Sequence, residues 1–245
     1  MKEMKRVSGI YFLLIIFLSG CEKDHLFDCL KSTGSMMMES RPVSDFSRLD
    51  VFNNVDVVIT QDSVNSIVVE AGNHIISGIT TEIYAGVLTI RNENKCNWIR
   101  SYAKAIVVHV HERNLNAIHH RGSAVVSSSN TMNCPGLDLN VWSGGDIKLS
   151  VDVADIYSRQ HSSVGDITLF GRSTHCYIYN NGNGFTYHKE LEVQHADIEH
   201  RGTGDIYVQV GTTMNVSIHG SGNVYYSGNP QVSSSVNGSG RLIHQ

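Results

Sequence analysis

Apolar and polar positions alternate along this chain, and that alternation predicts its elements. Leu49, Val51, Val55, Val57 and Ile59 share one face of residues 49–60, interrupted by Asn53, and Ile106, Val108 and Val110 repeat the pattern. Successive side chains of an extended strand point to opposite faces, so such segments predict half-buried strands. No long stretch places apolar residues at helical spacing. The sequence therefore reads as all-β.

A second, longer period begins at residue 121. Arg121-Gly122-Ser123-Ala124-Val125 is echoed by Ser143-Gly144-Gly145-Asp146-Ile147, by Ser163-Val164-Gly165-Asp166-Ile167 and by Asn181-Gly182-Asn183-Gly184-Phe185. Arg201-Gly202-Thr203-Gly204-Asp205-Ile206, His219-Gly220-Ser221-Gly222-Asn223-Val224 and Asn237-Gly238-Ser239-Gly240-Arg241-Leu242 follow, at steps of 22, 19, 19, 20, 18 and 18 residues. A unit this short holds two or three strands with turns and buries its apolar face only by stacking on copies of itself. Recurrent glycine fits corners that need positive φ or close backbone approach. The pattern predicts a single-domain parallel β-helix, a β-solenoid with coils of about 18–22 residues, with a β-sandwich as the alternative. Roughly ten coils at ~4.8 Å each would make a rod about 50 Å long. Residues 45–120 repeat more weakly and read as irregular coils of the same body.

The N-terminus carries a different signal. Lys2, Lys5 and Arg6 precede a nine-residue apolar run, Ile10–Leu18, that ends in Ser19-Gly20-Cys21. A run of nine is too short to cross a hydrocarbon core, which needs roughly 20 helical residues. It has the outline of an export signal. Leu18-Ser19-Gly20-Cys21 resembles a lipobox, which implies acylation of Cys21 and cleavage just before it. The chain then divides into a signal peptide (1–20), a lipidated tether and N-terminal cap (21–44) and a solenoid (45–245).

Phe46-Ser47-Arg48-Leu49-Asp50-Val51-Phe52-Asn53-Asn54-Val55-Asp56-Val57-Val58-Ile59-Thr60-Gln61, followed by Ile67-Val68-Val69-Glu70-Ala71 and Gly86-Val87-Leu88-Thr89-Ile90, resembles the start of the putative auto-transporter adhesin head GIN domain. The late Gly-Ser-Gly-Asn and Gly-Thr-Gly-Asp turns match that family's glycine-rich second half, and coverage runs from about Asp45 to Leu242. The resemblance implies a parallel β-helix, a lipoprotein of Bacteroidetes and a non-enzymatic adhesin or surface-binding module, with no catalytic residues to carry over. Two rival functions stay open: a carbohydrate-active β-helix enzyme, and a structural or stress-related envelope component. The expected location is the outer membrane, anchored by lipid and displayed at the cell surface, with a glycan or surface protein as ligand.

Composition narrows these classes. Loss of Lys2, Lys5, Arg6 and Glu3 with the signal removes three positive charges and one negative, taking the formal net charge from −4 to −6, which argues against a nucleic-acid partner. With Cys21 acylated, four cysteines remain in an oxidising compartment. Cys29 and Cys96 form a candidate disulfide that would pin the tether to the body and contribute ~4 kcal/mol by loop closure. Cys134 and Cys176 fit buried thiols equally well.

Several polar groups invite chemistry. Asp146, Asp166 and Asp205 occupy one position of three repeat units, a candidate ligand or calcium face, although Asp after Gly is ordinary turn chemistry. His109 and His111 alternate with valines and form a candidate metal pair that lacks a third ligand by spacing. His120, His161 and His200 precede the turns by similar offsets and predict surface imidazoles along one edge. Tyr177, Tyr179, Tyr187, Tyr225 and Tyr226 form a candidate aromatic strip for carbohydrate, or fill half-buried strand positions. Neither a Gly-x-Ser-x-Gly nucleophile turn nor a phosphate-cradling loop occurs, and the chain implies no cofactor.

Overall fold

The computed structural model describes residues 32–95 and 105–245. Cys21, Cys29 and Cys96, and with them the lipid-attachment and disulfide expectations, lie outside the described residues. Sixteen strands occur among the described residues: β1 (Met36–Arg41), β2 (Arg48–Asn53), β3 (Asp56–Gln61), β4 (Ser66–Gly72), β5 (Ile79–Tyr84), β6 (Val87–Asn92), β7 (Val107–Glu112) and β8 (Ala117–Gly122) come first. Then follow β9 (Val126–Val141), β10 (Ile147–His161), β11 (Ile167–Asn181), β12 (Thr186–His200), β13 (Ile206–Ile218), β14 (Val224–Ser227), β15 (Gln231–Val236) and β16 (Leu242–His244). All belong to one 16-stranded sheet that winds as a β-solenoid of about six turns. No helix among the described residues is long and apolar enough to cross a membrane.

Each long strand makes both faces of a coil. In β10, Ile147, Leu149, Val151 and Val153 are buried, Ala154 and Asp155 are both exposed, and Ile156, Ser158 and Gln160 are buried again. Two consecutive outward residues break the alternation, and the break is the corner that folds one strand into two half-strands. The halves face each other across the core and stack in register: Ile147 pairs with Ile167 and Ile156 with Cys176, and Ile206 pairs with Val224. The first-half column is Val126, Ile147, Ile167, Thr186, Ile206, Val224 and Leu242. Burying a Val, Leu or Ile side chain contributes ~1.5 to 3 kcal/mol, so this double wall is the main source of stability.

Between coils the chain turns on stacked glycines. A Cβ added at Gly202 or Gly204 would overlap the carbonyl oxygen of Gly182 or Gly184, one coil back. Neither residue has positive φ; the glycines with positive φ are Gly34, Gly86, Gly171 and Gly228. Close backbone approach, rather than handedness, is what the repeat requires.

The first part of the chain departs from the expected ten coils. Here β2 lies between β6 and β8, and β3 lies between β7 and β9. The chain lays down one rung, builds the end of the stack beneath it, and returns over the top with β8. At that end β4 pairs antiparallel with β7, β5 antiparallel with β6 and β1 antiparallel with β4. These strands lengthen the stack without adding turns, which is why alternation in residues 45–120 overstated the coil number. Residues Met36–Arg41, which show no strand alternation in sequence, pair as β1 because β4 offers an open edge.

Candidate functional site

The aspartates of the repeat lie at the exits of their turns, Asp146 and Asp166 one rung apart and Asp205 two rungs beyond Asp166. The Asp146 Oδ1 accepts the backbone N–H of Asp166 at 2.9 Å, and Asp166 Oδ1 accepts that of Phe185 at 2.7 Å. Asp205 Oδ1 accepts the N–H of Asn223 at 2.7 Å, and Asn223 Oδ1 accepts that of Arg241 at 3.0 Å. Asp56 does the same for Val125 at 2.9 Å. Each side chain thus ties its coil to the next. Burial, with the nearby Asp146 carboxylate adding to it, pushes the Asp166 carboxyl above the usual range despite its bond to Phe185. Phe185 separates Asp166 from Asp205 in this row, so the three carboxylates do not meet.

His109 and His111 project from β7 on either side of buried Val110. His109 Nε2 lies 3.2 Å from Glu70 Oε2, and His111 Nδ1 lies 3.0 Å from Asp62 Oδ2. The two rings point to different carboxylates. Among the described residues no group of three or more His, Cys, Asp or Glu side chains is arranged to hold a metal ion.

The three histidines expected on one edge divide between inside and outside. His120 and His200 are buried, in the inward row Val51, His120, Val141, Gln160, Asn180, His200 and Ile218. His161 sits one residue past that row and faces out. The His120 ring Nε2 meets the Ala124 carbonyl at 2.8 Å, inside its own turn. Burial lowers the pKa of all three imidazoles. A further buried histidine, His188, lies 3.5 Å by Nε2 from Ser158 Oγ and 3.9 Å by Nδ1 from Cys176 Sγ. Burial holds its pKa at about 3 and pushes the Cys176 thiol up to about 12. Both groups are therefore neutral, and the trio is closed to solvent.

The outer walls carry ring stacks. Phe185 and Tyr187 lie 5.7 Å apart, Tyr187 and Tyr207 5.4 Å, and Tyr207 and Tyr225 4.8 Å with planes within 7°. The tyrosines are in-register partners on three successive coils. On the opposite wall Trp142 stacks on His161 at 4.9 Å and 10°, and His161 tilts toward Tyr179 at 5.7 Å. The expected tyrosine strip is thus divided: Tyr177 and Tyr179 belong to the second wall, Tyr187 and Tyr225 to the first, and Tyr226 packs against the core. Sequence reasoning missed Phe185, Tyr207 and Trp142. The signal for Tyr207 was present, since Tyr187, Tyr207 and Tyr225 share one offset from their turns.

The sequence model of the putative auto-transporter adhesin, head GIN domain, matches residues 45–230. A solved structure of a putative adhesin from Bacteroides fragilis superposes with TM-score 0.80 at 18% identity, covering 86% of this chain and 97% of that one. A putative adhesin from Parabacteroides merdae gives 0.67 at 16%, covering 87% and 98%. A putative lipid binding protein from Parabacteroides distasonis gives 0.62 at 16%, covering 87% and 98%. At these identities the likeness is one of fold. No curated protein matches the chain.

Proposed function

The chain belongs to the putative auto-transporter adhesin, head GIN domain family, and from that premise we propose that it is a non-enzymatic adhesin-like module, held to the outer membrane by lipid on Cys21 and turned toward the cell exterior. The observation that carries this reading is the register of the outer walls. One outward position recurs coil after coil, as Tyr187, Tyr207 and Tyr225 do, so a rigid stack presents repeated side chains to a repeated ligand. Tethering many copies to one membrane multiplies weak contacts by effective concentration. The aspartates that a glycosidase reading would use are each engaged with a backbone N–H of the next coil, which supports binding over cleavage.

A glycan array and a surface-protein binding screen with the mature chain test the reading. Saturable binding without turnover is the expected result. Silence in both screens favours the envelope-component alternative, and ligand cleavage that is lost in the Asp146→Asn/Asp166→Asn variant favours the enzyme. Mass spectrometry of Cys21 tests the anchor, and surface proteolysis of intact cells tests the orientation.

A further inference from the structure

On the wall that carries Trp142, one outward row alternates cation and ring along the stack. Arg91 lies over the Phe52 ring, its guanidinium carbon 3.9 Å from the centroid. Arg121 reaches the same ring from the other side in the register, at 5.8 Å, and lies 4.6 Å from the Trp142 ring. Trp142 then stacks on His161. Phe52 pairs with Arg121 in register, so the row runs with the axis of the solenoid. It continues through Asn181, Arg201 and His219, where Arg201 is already engaged by Glu199.

The two arginines differ from their neighbours in having no acidic partner. Arg48 is paired with Asp50, Arg159 with Asp138, Arg172 with Asp152 and Arg201 with Glu199. Among the described residues the guanidinium groups of Arg91 and Arg121 have neither an ion pair nor a hydrogen bond, and both side chains are exposed. Their planar forks are held by aromatic contact with the N–H donors unspent. Adjacent strands lie ~4.8 Å apart, so the backbones of the two arginines stand about 10 Å apart along the axis, and both forks lean on the Phe52 ring between them. A chain with recurring carboxylates spans both.

We propose that this row is a binding site for an acidic polysaccharide, a uronate-bearing glycan whose carboxylates dock on Arg91 and Arg121 while its hydroxyls meet the ring edges and imidazole between and beyond them. Guanidinium and carboxylate match as planar bidentate partners. Single-stranded nucleic acid is the poorer fit, because such binding uses open aromatic faces for base stacking. Here Arg121 and His161 both contact Trp142, and both arginines contact Phe52. This inference rests on the surface-binding reading and gives that reading a ligand class.

The test is binding of the full-length protein in detergent to polygalacturonate, with fully methyl-esterified polygalacturonate and a single-stranded oligonucleotide as comparators. Binding of the acid form that weakens with added salt, and a dissociation constant at least about tenfold higher for the ester, are expected. Arg91→Gln/Arg121→Gln raises the constant about tenfold and Arg121→Gln alone by less, while Lys148→Gln/Arg172→Gln, which removes the same charge elsewhere, leaves it unchanged. An unchanged far-ultraviolet dichroism and melting midpoint confirm that the variants fold. Equal binding of the ester, an unaffected arginine variant, or tighter binding of the oligonucleotide overturns the proposal. If polygalacturonate fails while another glycan or surface protein binds, the row is lost and the surface-binding reading stands; if no ligand binds, both fall.

Discussion

Asn180 Nδ2 donates to Gln160 Oε1 at 2.8 Å, from one coil to the one below, and both side chains are buried. Asn180 Nδ2 also donates to the Gly184 carbonyl at 3.0 Å, and its Oδ1 accepts the Gly182 N–H at 3.0 Å. Gln160 Nε2 in turn donates to the Gly165 carbonyl at 2.7 Å, and its Oε1 accepts the Thr186 hydroxyl at 2.7 Å. A row of inward amides thus supplies hydrogen bonds that the tight turns cannot make among themselves. Asn180→Leu keeps the volume but strands these groups, each at ~1 to 3 kcal/mol. A loss of about 3 kcal/mol in urea unfolding is expected, against about 0.5 kcal/mol or less for the exposed neighbour Asn181→Leu.

This row also marks where sequence reasoning stopped. Glycine spacing gave the coil because every turn needs the same close approach at Gly182, Gly202, Gly220 and Gly238. The same spacing suggested that His120, His161 and His200 were equivalent, yet on the coil that carries His161 the residue in the row of His120 and His200 is Gln160. Coil lengths vary between 18 and 22 residues, and in a strand a one-residue offset reverses the side chain's face. Similarly, alternation in residues 45–120 identified strands but not their direction, because hairpins and coils bury the same apolar face. The Arg91–Phe52–Arg121 row joins β6, β2 and β8, whose order in the stack is not their order in the chain.

Glycine substitution should separate approach from conformation. An added methyl at Gly204 would strike the backbone of Gly184, which has no room to yield. Gly204→Ala is expected to cost about 3 kcal/mol or prevent folding. At Gly144 the nearest atom to an added Cβ is Val164 Cγ2 at 3.4 Å, a mobile side chain, and φ is not positive. Gly144→Ala should change stability by no more than about 0.5 kcal/mol. Equal effects at the two sites would contradict the close-approach explanation.

His188 predicts an acid limit to stability. Its folded pKa of about 3 lies below the unfolded value near 6.5, so between these values the unfolded chain binds more protons. Its contribution is complete above pH ~6.5 and declines as pH falls, by up to ~1.4 kcal/mol per unit. His120 and His200, also lowered by burial, act in the same direction. Urea unfolding at about pH 7, 6 and 5 should show a steeper decline for the parent than for His188→Leu. The slope is the readout, since lost packing shifts all points together.

The turn aspartates are predicted to act as ties between coils. Asp146→Ala frees the Asp166 N–H and is expected to cost about 1 kcal/mol, whereas Asp146→Asn retains an acceptor and costs about 0.5 kcal/mol or less. Because Asp146 and Asp166 each serve one backbone donor and Asp205 lies beyond Phe185, millimolar calcium should leave the melting midpoint unchanged. A rise with calcium that Asp166→Asn abolishes would restore the ion-binding interpretation.

Tyr207 lies between two rings, Tyr187 at 5.4 Å and Tyr225 at 4.8 Å, and among the described residues no hydrogen bond from its hydroxyl holds it there. Its contribution therefore comes from stacking and from the apolar area that the rings cover. Each such pair adds ~0.5 to 1.5 kcal/mol beyond burial. Tyr207→Phe keeps both contacts and should be neutral, while Tyr207→Ala removes both and should cost about 2 kcal/mol. The parallel Tyr187→Ala variant loses only one of these coil-to-coil partners, since its other neighbour is Phe185 on its own coil. A double-mutant cycle between Tyr187 and Tyr207 should return a coupling of about 1 kcal/mol. Zero coupling would mean that the rings share a wall only because the register places them there, and that the stack is held by its core and turns alone.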